Sequence, residues 1–289
     1  MKYIHITDIH LDHLGNRRQS QQALLQENFA IVKQVAIKLV EEMDAANTDV
    51  CCLTGDISSG QLIDIHLGII GSVFESYNKK LLFVLGNHDF YHSSFCSVLD
   101  RVREQVSNNP TSLYYLSDKP YHTKEQSFVG HDGWYDGLYA PFGGKSVEMN
   151  DYYVIEELRE IPSRDLLFAS CREKANIAAT KTKGDLEYTI ASKSPTKVVV
   201  LTHVPPFREL STYKGKISDD MWMPCFSSKQ YGDMLLTVAN KNPSVSFDIL
   251  CGHSHGEAMH LALANLRGYT GPAEYGNPLS SLRVRETKQ

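Results

Sequence analysis

Five groups of polar side chains able to bind metal ions each follow directly after a short apolar run. The groups are Asp8-Ile9-His10, Gly55-Asp56, Gly86-Asn87-His88-Asp89, His203 and Gly252-His253-Ser254-His255. In open α/β sheets the carboxyl ends of the strands face one ligand-binding crevice. If the apolar runs are strands, these groups meet in one place and form a site rich in carboxylate, amide and imidazole ligands.

The composition of this predicted site favours two divalent metal ions held side by side. Asp56 is the natural bridge, because the two ions of such a site lie within reach of one carboxylate. In an extended segment Asp8 and His10 point to the same side, as do His253 and His255. Imidazole ligands favour Mn, Fe, Zn or Ni over Ca or Mg.

With the groups present in the order DxH, GD, GNH(D/E), H and GHxH, the chain resembles the calcineurin-like metallophosphoesterase family from residue 3 to about residue 256. The resemblance implies a four-layer α/β/β/α fold with a β-sandwich inside. It implies that one metal is held by Asp8, His10 and His255, the other by Asn87, His203 and His253, with Asp56 shared. It also implies that His88 binds no metal and stabilises charge or donates a proton at the leaving oxygen. The alternative for His88 is a structural histidine behind the site.

Two branches of the family differ from this sequence. Protein Ser/Thr phosphatases carry GDxxDRG where this chain reads Gly55-Asp56-Ile57-Ser58-Ser59-Gly60, so the Asp and the phosphate-clamping Arg are missing. DNA repair nucleases usually continue into a DNA-capping domain, whereas fewer than 40 residues follow His255 here. Both differences disfavour the corresponding activity.

These features predict metal-dependent hydrolysis of a small phosphorylated substrate, such as a nucleotide, by a phosphodiesterase or a phosphomonoesterase. A hydroxide that bridges the two metals would attack phosphorus in line, because coordination lowers the pKa of water to roughly 7. Two alternatives stay open. An atypical protein phosphatase is disfavoured by the missing Arg, and a catalytically silent binding scaffold is disfavoured by the complete ligand set.

Three stretches are candidates for substrate contacts, and they contain Arg17, Trp134 and Trp222. An aromatic ring near a basic side chain can stack a base while the phosphate is clamped. Each residue has a structural alternative. The two tryptophans would pack inside the protein, and Arg17 would lie in a solvated loop.

The apolar runs predict strands that are buried on both faces, which is typical of a sheet covered by helices. The runs cover residues 3–7, 50–54, 81–85, 198–202 and 247–251, and a further strand-like run covers 282–285. Helical periodicity predicts helices over 20–46, 63–77 and about 172–191, and a last one that begins near Ser227 or Ser228 and ends before Pro243. We expect one α/β domain over residues 1–289, layered α/β/β/α or α/β/α, with loop-rich segments at about 120–165 and 205–226 around the site.

Composition and charge limit the partners of the protein. A hydrophobic content of 42% and a charged content of 22% are ordinary for a folded domain, and the net charge of −5 disfavours binding of long nucleic acids. No run approaches the ~18 apolar residues of a membrane span, and the first residues lack a signal-peptide pattern, so we expect a cytoplasmic protein without membrane contact. The six cysteines lack CxxC spacing and predict buried free thiols. The oligomeric state is not indicated by the sequence.

Overall fold

The computed structural model describes residues 1–15, 21–142 and 146–286, and two large sheets form its centre. The first sheet contains β1 (Lys2–Ile6), β2 (Val50–Thr54), β3 (Lys80–Val84), β4 (Leu113–Tyr115) and β13 (Arg283–Glu286) in the order β13-β1-β2-β3-β4. Strands β1 to β4 are parallel, and β13 is antiparallel to β1. The carboxyl ends of the four parallel strands therefore meet at one edge.

The second sheet also has a parallel centre, and it has an antiparallel strand at each edge. It contains β5 (Tyr121–His122), β6 (Ser127–Gly130), β7 (Lys197–Leu201), β10 (Ser246–Cys251), β11 (Ala258–Leu263) and β12 (Leu266–Thr270) in the order β11-β12-β10-β7-β6-β5. Only β11 and β5 run antiparallel to their neighbours. A separate hairpin is formed by β8 (Thr212–Tyr213) and β9 (Lys216–Ile217).

Helices cover the outer face of each sheet. The helices are α1 (Gln21–Ala45), α2 (Ile63–Ser76) and α3 (Phe95–Asn108) on the first sheet, α6 (Arg164–Lys193) and α8 (Lys229–Lys241) on the second, and the short α4 (Asp151–Val154), α5 (Glu156–Arg159) and α7 (Met223–Phe226) in connections. This layering confirms the expected α/β/β/α fold. Among the described residues, no helix is both long and apolar enough to cross a membrane.

The continuous apolar runs are explained by the two packing faces of each strand. In β2, Cys51 and Leu53 pack toward the helices, whereas Val50 and Cys52 pack toward the second sheet, where they join Val199. Both faces of the strand are therefore buried, and each fully buried aliphatic side chain contributes about 1.5–3 kcal/mol to stability. A polar residue in the middle of such a run would lack a solvated face.

The predicted elements agree with the structure at their centres and differ at some ends. The predicted strands lie within about one residue of the observed ones, and the helix expected from residue 172 begins earlier, after Ser163, whose side chain accepts a hydrogen bond from the N–H of Leu166. Helix α3 and the strand pair β11–β12 were not predicted. All six cysteines are free; five are buried as expected, and Cys96 is exposed.

Candidate metal centre

The five predicted ligand groups meet at the carboxyl ends of β1, β2, β3, β7 and β10. Two clusters of metal-binding side chains form there, and within each the ligand atoms lie within 4.8 Å of one another. One cluster contains Asp8, His10, Asp56 and His255, and the other contains Asp56, His203 and His253. Asp56 belongs to both clusters, which is the position required of a bridging carboxylate.

Hydrogen bonds at the second cluster orient two imidazole rings and leave lone pairs toward a common point. Nδ1 of His203 lies 2.8 Å from the carbonyl oxygen of Thr54, and Nε2 of His253 lies 2.9 Å from that of Cys225. Each of these nitrogens must donate, so the other nitrogen of each neutral ring is an acceptor. These two acceptors are 3.2 Å apart, and Nε2 of His203 is 3.1 Å from Oδ1 of Asn87. A metal ion between these atoms would satisfy all three acceptors, and without it a proton on His203 can do so.

The charge at this point is consistent with a site for a cation. Burial lowers the pKa of His203, but the charge of Asp56 and hydrogen bonding to it raise this pKa to about 10 overall. The metal-free imidazole therefore keeps a proton near the position where a metal would bind. Protons and metal ions compete for such a ligand.

The first cluster combines a second histidine pair with two carboxylates. Nε2 of His10 is 3.2 Å from Nε2 of His255, which is 3.4 Å from Oδ1 of Asp8, and Oδ2 of Asp56 is 3.9 Å from Nε2 of His10. Burial raises the pKa of Asp8, but the hydrogen bond and charge of His255 lower it to about 2 overall. Histidine nitrogens with ionised carboxylates are a donor set that suits the borderline divalent metals.

The backbone of most of the predicted ligand residues is left-handed, not extended. Five of the seven predicted ligands have positive φ angles: Asp8 (51°), His10 (41°), Asp56 (51°), His253 (69°) and His255 (57°). The expectation that strand alternation aligns the DxH and HxH pairs was therefore wrong. The strands end before each pair, and sharp left-handed turns bring the side chains together. Such backbone costs on the order of 1 kcal/mol or more per residue.

Two glycines allow the ligand loops to approach each other closely. Gly55 has a φ of +87°, and a Cβ there would lie 2.6 Å from Nδ1 of His203. A Cβ on Gly86 would overlap Oδ1 of Asp56 and lie 2.5 Å from its backbone nitrogen. A side chain at either position would displace a predicted ligand.

Asp89 has a structural role instead of facing the clusters. Its Oδ1 accepts hydrogen bonds from the N–H groups of Ile57 and Ser58, both at 2.8 Å, and its Oδ2 accepts one from Gly86 at 2.8 Å. The acidic residue of the GNHD group therefore ties the loop after β2 to the loop after β3. The relative positions of Asp56 and Asn87 depend on this link.

A buried carboxylate that the sequence did not reveal orients Asn87. Oδ1 of Asp151, in α4, accepts hydrogen bonds from Nδ2 of Asn87 at 2.9 Å and from the hydroxyl of Tyr91 at 2.6 Å, and Oδ2 accepts one from the hydroxyl of Tyr135 at 2.9 Å. The amide oxygen of Asn87 is thereby turned toward His203. Asp151 lies in the segment 120–165, which was expected to form loops, and no sequence pattern identifies it.

His88 lies at the edge of the site with its ring accessible. Its side chain is 20% exposed, its Nε2 is 4.0 Å from Oδ2 of Asp56, and its backbone N–H donates to Oδ1 of the same carboxylate at 2.9 Å. The ring of Tyr91 stacks on it at 4.2 Å. This position leaves the imidazole within reach of a substrate at the clusters.

A cleft of about 770 Å³ opens above the two clusters, and aromatic side chains line it. Tyr275 packs on His10 and His255 with ring centroids at 4.4 and 5.2 Å, and Phe226 packs on His253 at 4.6 Å. Neither aromatic residue was singled out from the sequence, because neither lies next to a ligand group.

The three predicted substrate contacts have different positions. Trp222 lines the cleft and is 40% exposed. Trp134 is 4% exposed and packs against Phe95 and Tyr135, which agrees with its packing alternative. Arg17 lies outside the described residues.

Comparisons with known proteins agree with the fold and with the resemblance to one family. A family model described as calcineurin-like phosphoesterase matches residues 1–257, which confirms the resemblance. A dimetal phosphatase from Danio rerio superposes with a TM-score of 0.58 at 13% identity, covering 98% of this chain and 91% of that one. A protein from Thermus thermophilus gives a TM-score of 0.53 at 10% identity, covering 98% of this chain and 97% of that one. No curated protein matches the chain.

Proposed function

Because the chain belongs to the calcineurin-like phosphoesterase family, we propose that it hydrolyses small phosphoesters, such as nucleotides, with two divalent metal ions. The observation that carries the proposal is the convergence of acceptor atoms at two points on either side of Asp56. The donor set suits Mn, Fe, Zn or Ni.

The seven ligands divide between two ions in this proposal. Asp8, His10 and His255 would hold one ion, Asn87, His203 and His253 would hold the other, and Asp56 would be shared by both. Bound divalent ions polarise phosphoryl oxygens and lower the pKa of coordinated water from 15.7 to roughly 7. The protein contributes the rigid placement of these side chains, since carbonyl oxygens, backbone N–H groups and Asp151 fix their orientation.

We assign His88 as the group that donates a proton to the leaving oxygen. Its ring is partly exposed at the cleft, and Tyr91 restricts its orientation by stacking on one face. General acids of this kind contribute typically 10²- to 10⁴-fold to a rate. His88→Asn should therefore lower kcat strongly with poor leaving groups and weakly with p-nitrophenolate, which needs no proton.

The proposal is tested by removing metal and restoring it. The purified protein is stripped, reloaded with Mn, Zn, Fe or Ni, and assayed with p-nitrophenyl phosphate and bis-p-nitrophenyl phosphate. The activity of Asp56→Ala and of Asn87→Ala should be more than ~100-fold lower than that of the wild type. This decrease exceeds the one typical of a residue that only hydrogen-bonds to a metal ligand. His260→Ala, a histidine on β11 outside both clusters, is the control.

Metal content together with the range of esters hydrolysed distinguishes the proposed enzyme from the two alternatives. Two ions per chain with no hydrolysis of either ester would favour a silent scaffold. Hydrolysis of phosphopeptides but not of small esters would favour an atypical protein phosphatase. Full activity in Asp56→Ala would remove the basis of the whole assignment.

A further inference from the structure

We infer that the substrate is a small phosphodiester with a planar aromatic group, which stacks on Trp222 or Tyr275 at the walls of the cleft. This inference rests on the proposed function, since it names the substrate class of the same site. Its support comes from the side chains around the clusters and from their charges.

An aromatic wall lies beside each cluster. Tyr275 packs on the histidines of the first cluster but keeps 51% of its surface exposed. At the second cluster Phe226 packs on His253, and the edge of Trp222 meets Phe226 at 5.5 Å while 40% of Trp222 remains exposed. Each wall thus consists of a ring held by packing on one side and accessible on the other. This arrangement suits the stacking of a planar group.

The charges of the cleft favour a diester over a monoester. Among the described residues that line it, Lys216 is the only lysine or arginine, whereas Asp219 and Glu274 add negative charge. A monoester carries close to two negative charges at neutral pH and a diester carries one, because the second pKa of a phosphate is about 6. In a diester, the extra charged oxygen is replaced by an ester arm that needs no cation.

The size of the cleft fits a diester with two arms. Its volume of about 770 Å³ lies within the range of sites that bury a small organic ligand. With phosphorus at the clusters, one arm extends toward Tyr275 and the other toward Trp222. The acidic side chains and the net charge of −5 disfavour a long polyanionic strand in the same place.

Three probes with one leaving group test the inference. The probes are p-nitrophenyl phosphate, methyl p-nitrophenyl phosphate and benzyl p-nitrophenyl phosphate, compared by kcat/KM with the metal-loaded protein. We expect both diesters to exceed the monoester. We expect benzyl to exceed methyl by about tenfold, which corresponds to ~1.4 kcal/mol and lies within the range for stacking of one ring.

Leucine variants then show which aromatic wall contacts which arm of the diester. Because each arm of a diester meets one wall, Trp222→Leu and Tyr275→Leu should have different effects. One of these variants should lose the preference for benzyl over methyl, and the other should have a lower kcat/KM for all three p-nitrophenyl esters. The control is Tyr188→Leu, an exposed aromatic on α6 far along the chain from the cleft residues. Bound metal must stay at two ions per chain in every variant compared.

The outcomes separate the two proposals. Metal-dependent hydrolysis with a preference for the monoester, or with equal values for benzyl and methyl diesters, overturns the inference and leaves the proposed function standing. If both leucine variants keep the preference for the benzyl diester, the inference is also overturned. No metal-dependent hydrolysis of any probe overturns both.

Discussion

Replacement of Asp151 by alanine should weaken one metal position more than the other. The carboxylate of Asp151 holds the amide of Asn87, and Tyr91 and Tyr135 donate to the same carboxylate. In Asp151→Ala the amide of Asn87 is free to rotate, so its oxygen no longer points steadily toward His203. Asp151→Asn is the matched control, because its amide oxygen can still accept from Asn87 and its NH₂ can donate to Tyr135.

The magnitudes follow from the number of bonds lost. Two buried donors and the half-buried hydroxyl of Tyr91 lose their acceptor, and at the low end of about 1 kcal/mol each the free energy of unfolding falls by about 3 kcal/mol. That loss leaves a domain of ordinary stability folded at room temperature. Outer-shell partners of a metal site typically contribute 10- to 100-fold to metal affinity or activity. We expect this decrease for the ion held by Asn87, His203 and His253.

Calorimetric titration of the metal-free protein with Zn²⁺ or Mn²⁺ measures both positions. The wild type should bind two ions per chain, and Asp151→Ala should bind one with nearly unchanged affinity and one about 10- to 100-fold more weakly. Asp151→Asn should resemble the wild type. Equal weakening at both positions, or no weakening in a variant whose unfolding free energy has dropped, would refute the orienting role of Asp151.

Three further predictions concern backbone, titration and thiols. Gly86→Ala should abolish metal binding because its Cβ would overlap Asp56, whereas Gly184→Ala, with open space around its Cβ on α6, should raise the unfolding free energy by about 1 kcal/mol in a urea titration. Burial lowers the pKa of His66 to about 4, so the unfolded chain takes up the proton first as the pH falls below 6.5, and stability decreases. Between pH 7 and pH 4.5, the free energy of unfolding of the metal-free His66→Gln variant should fall by ~2 kcal/mol less than that of the wild type. Equal decreases in the two proteins would contradict this. Ellman's reagent should modify one thiol, Cys96, in the folded protein and six after denaturation; rapid reaction of a second thiol in the folded protein would contradict the burial of the other five.

The ligand set and the parallel strands are readable from the sequence because both are local. A strand buried on both faces needs an uninterrupted apolar run, and a ligand that follows it is adjacent in the chain. Helix α3 could have been found in the same way. Ser94 caps it by accepting a hydrogen bond from the N–H of Ser97, and the apolar residues Val98 and Val102 lie four apart on its buried face.

The residues that hold or surround the candidate ligands could not be predicted from the sequence, because their roles arise only from contacts between distant segments. Asp151 lies on a four-residue helix without periodicity, and Tyr275 lies on a loop without a ligand motif. Their partners, Asn87 and His10, are more than sixty positions away in the sequence. Trp134 shows the opposite case, a residue proposed for substrate binding that packs inside the protein. An aromatic residue in a loop-rich segment is as suited to packing as to substrate binding.

The wide separation of the ligands along the chain has a consequence for the order of assembly. His10 and His255 are 245 positions apart, yet their imidazole nitrogens lie 3.2 Å from each other. No short segment of a nascent polypeptide holds a complete cluster, so metal ions cannot template folding as they do in a zinc finger. The sandwich must form first, and metallation is a late step of maturation. The ratio of tightly bound metal to protein in a preparation therefore gives a lower limit on the fraction of chains that have completed their fold.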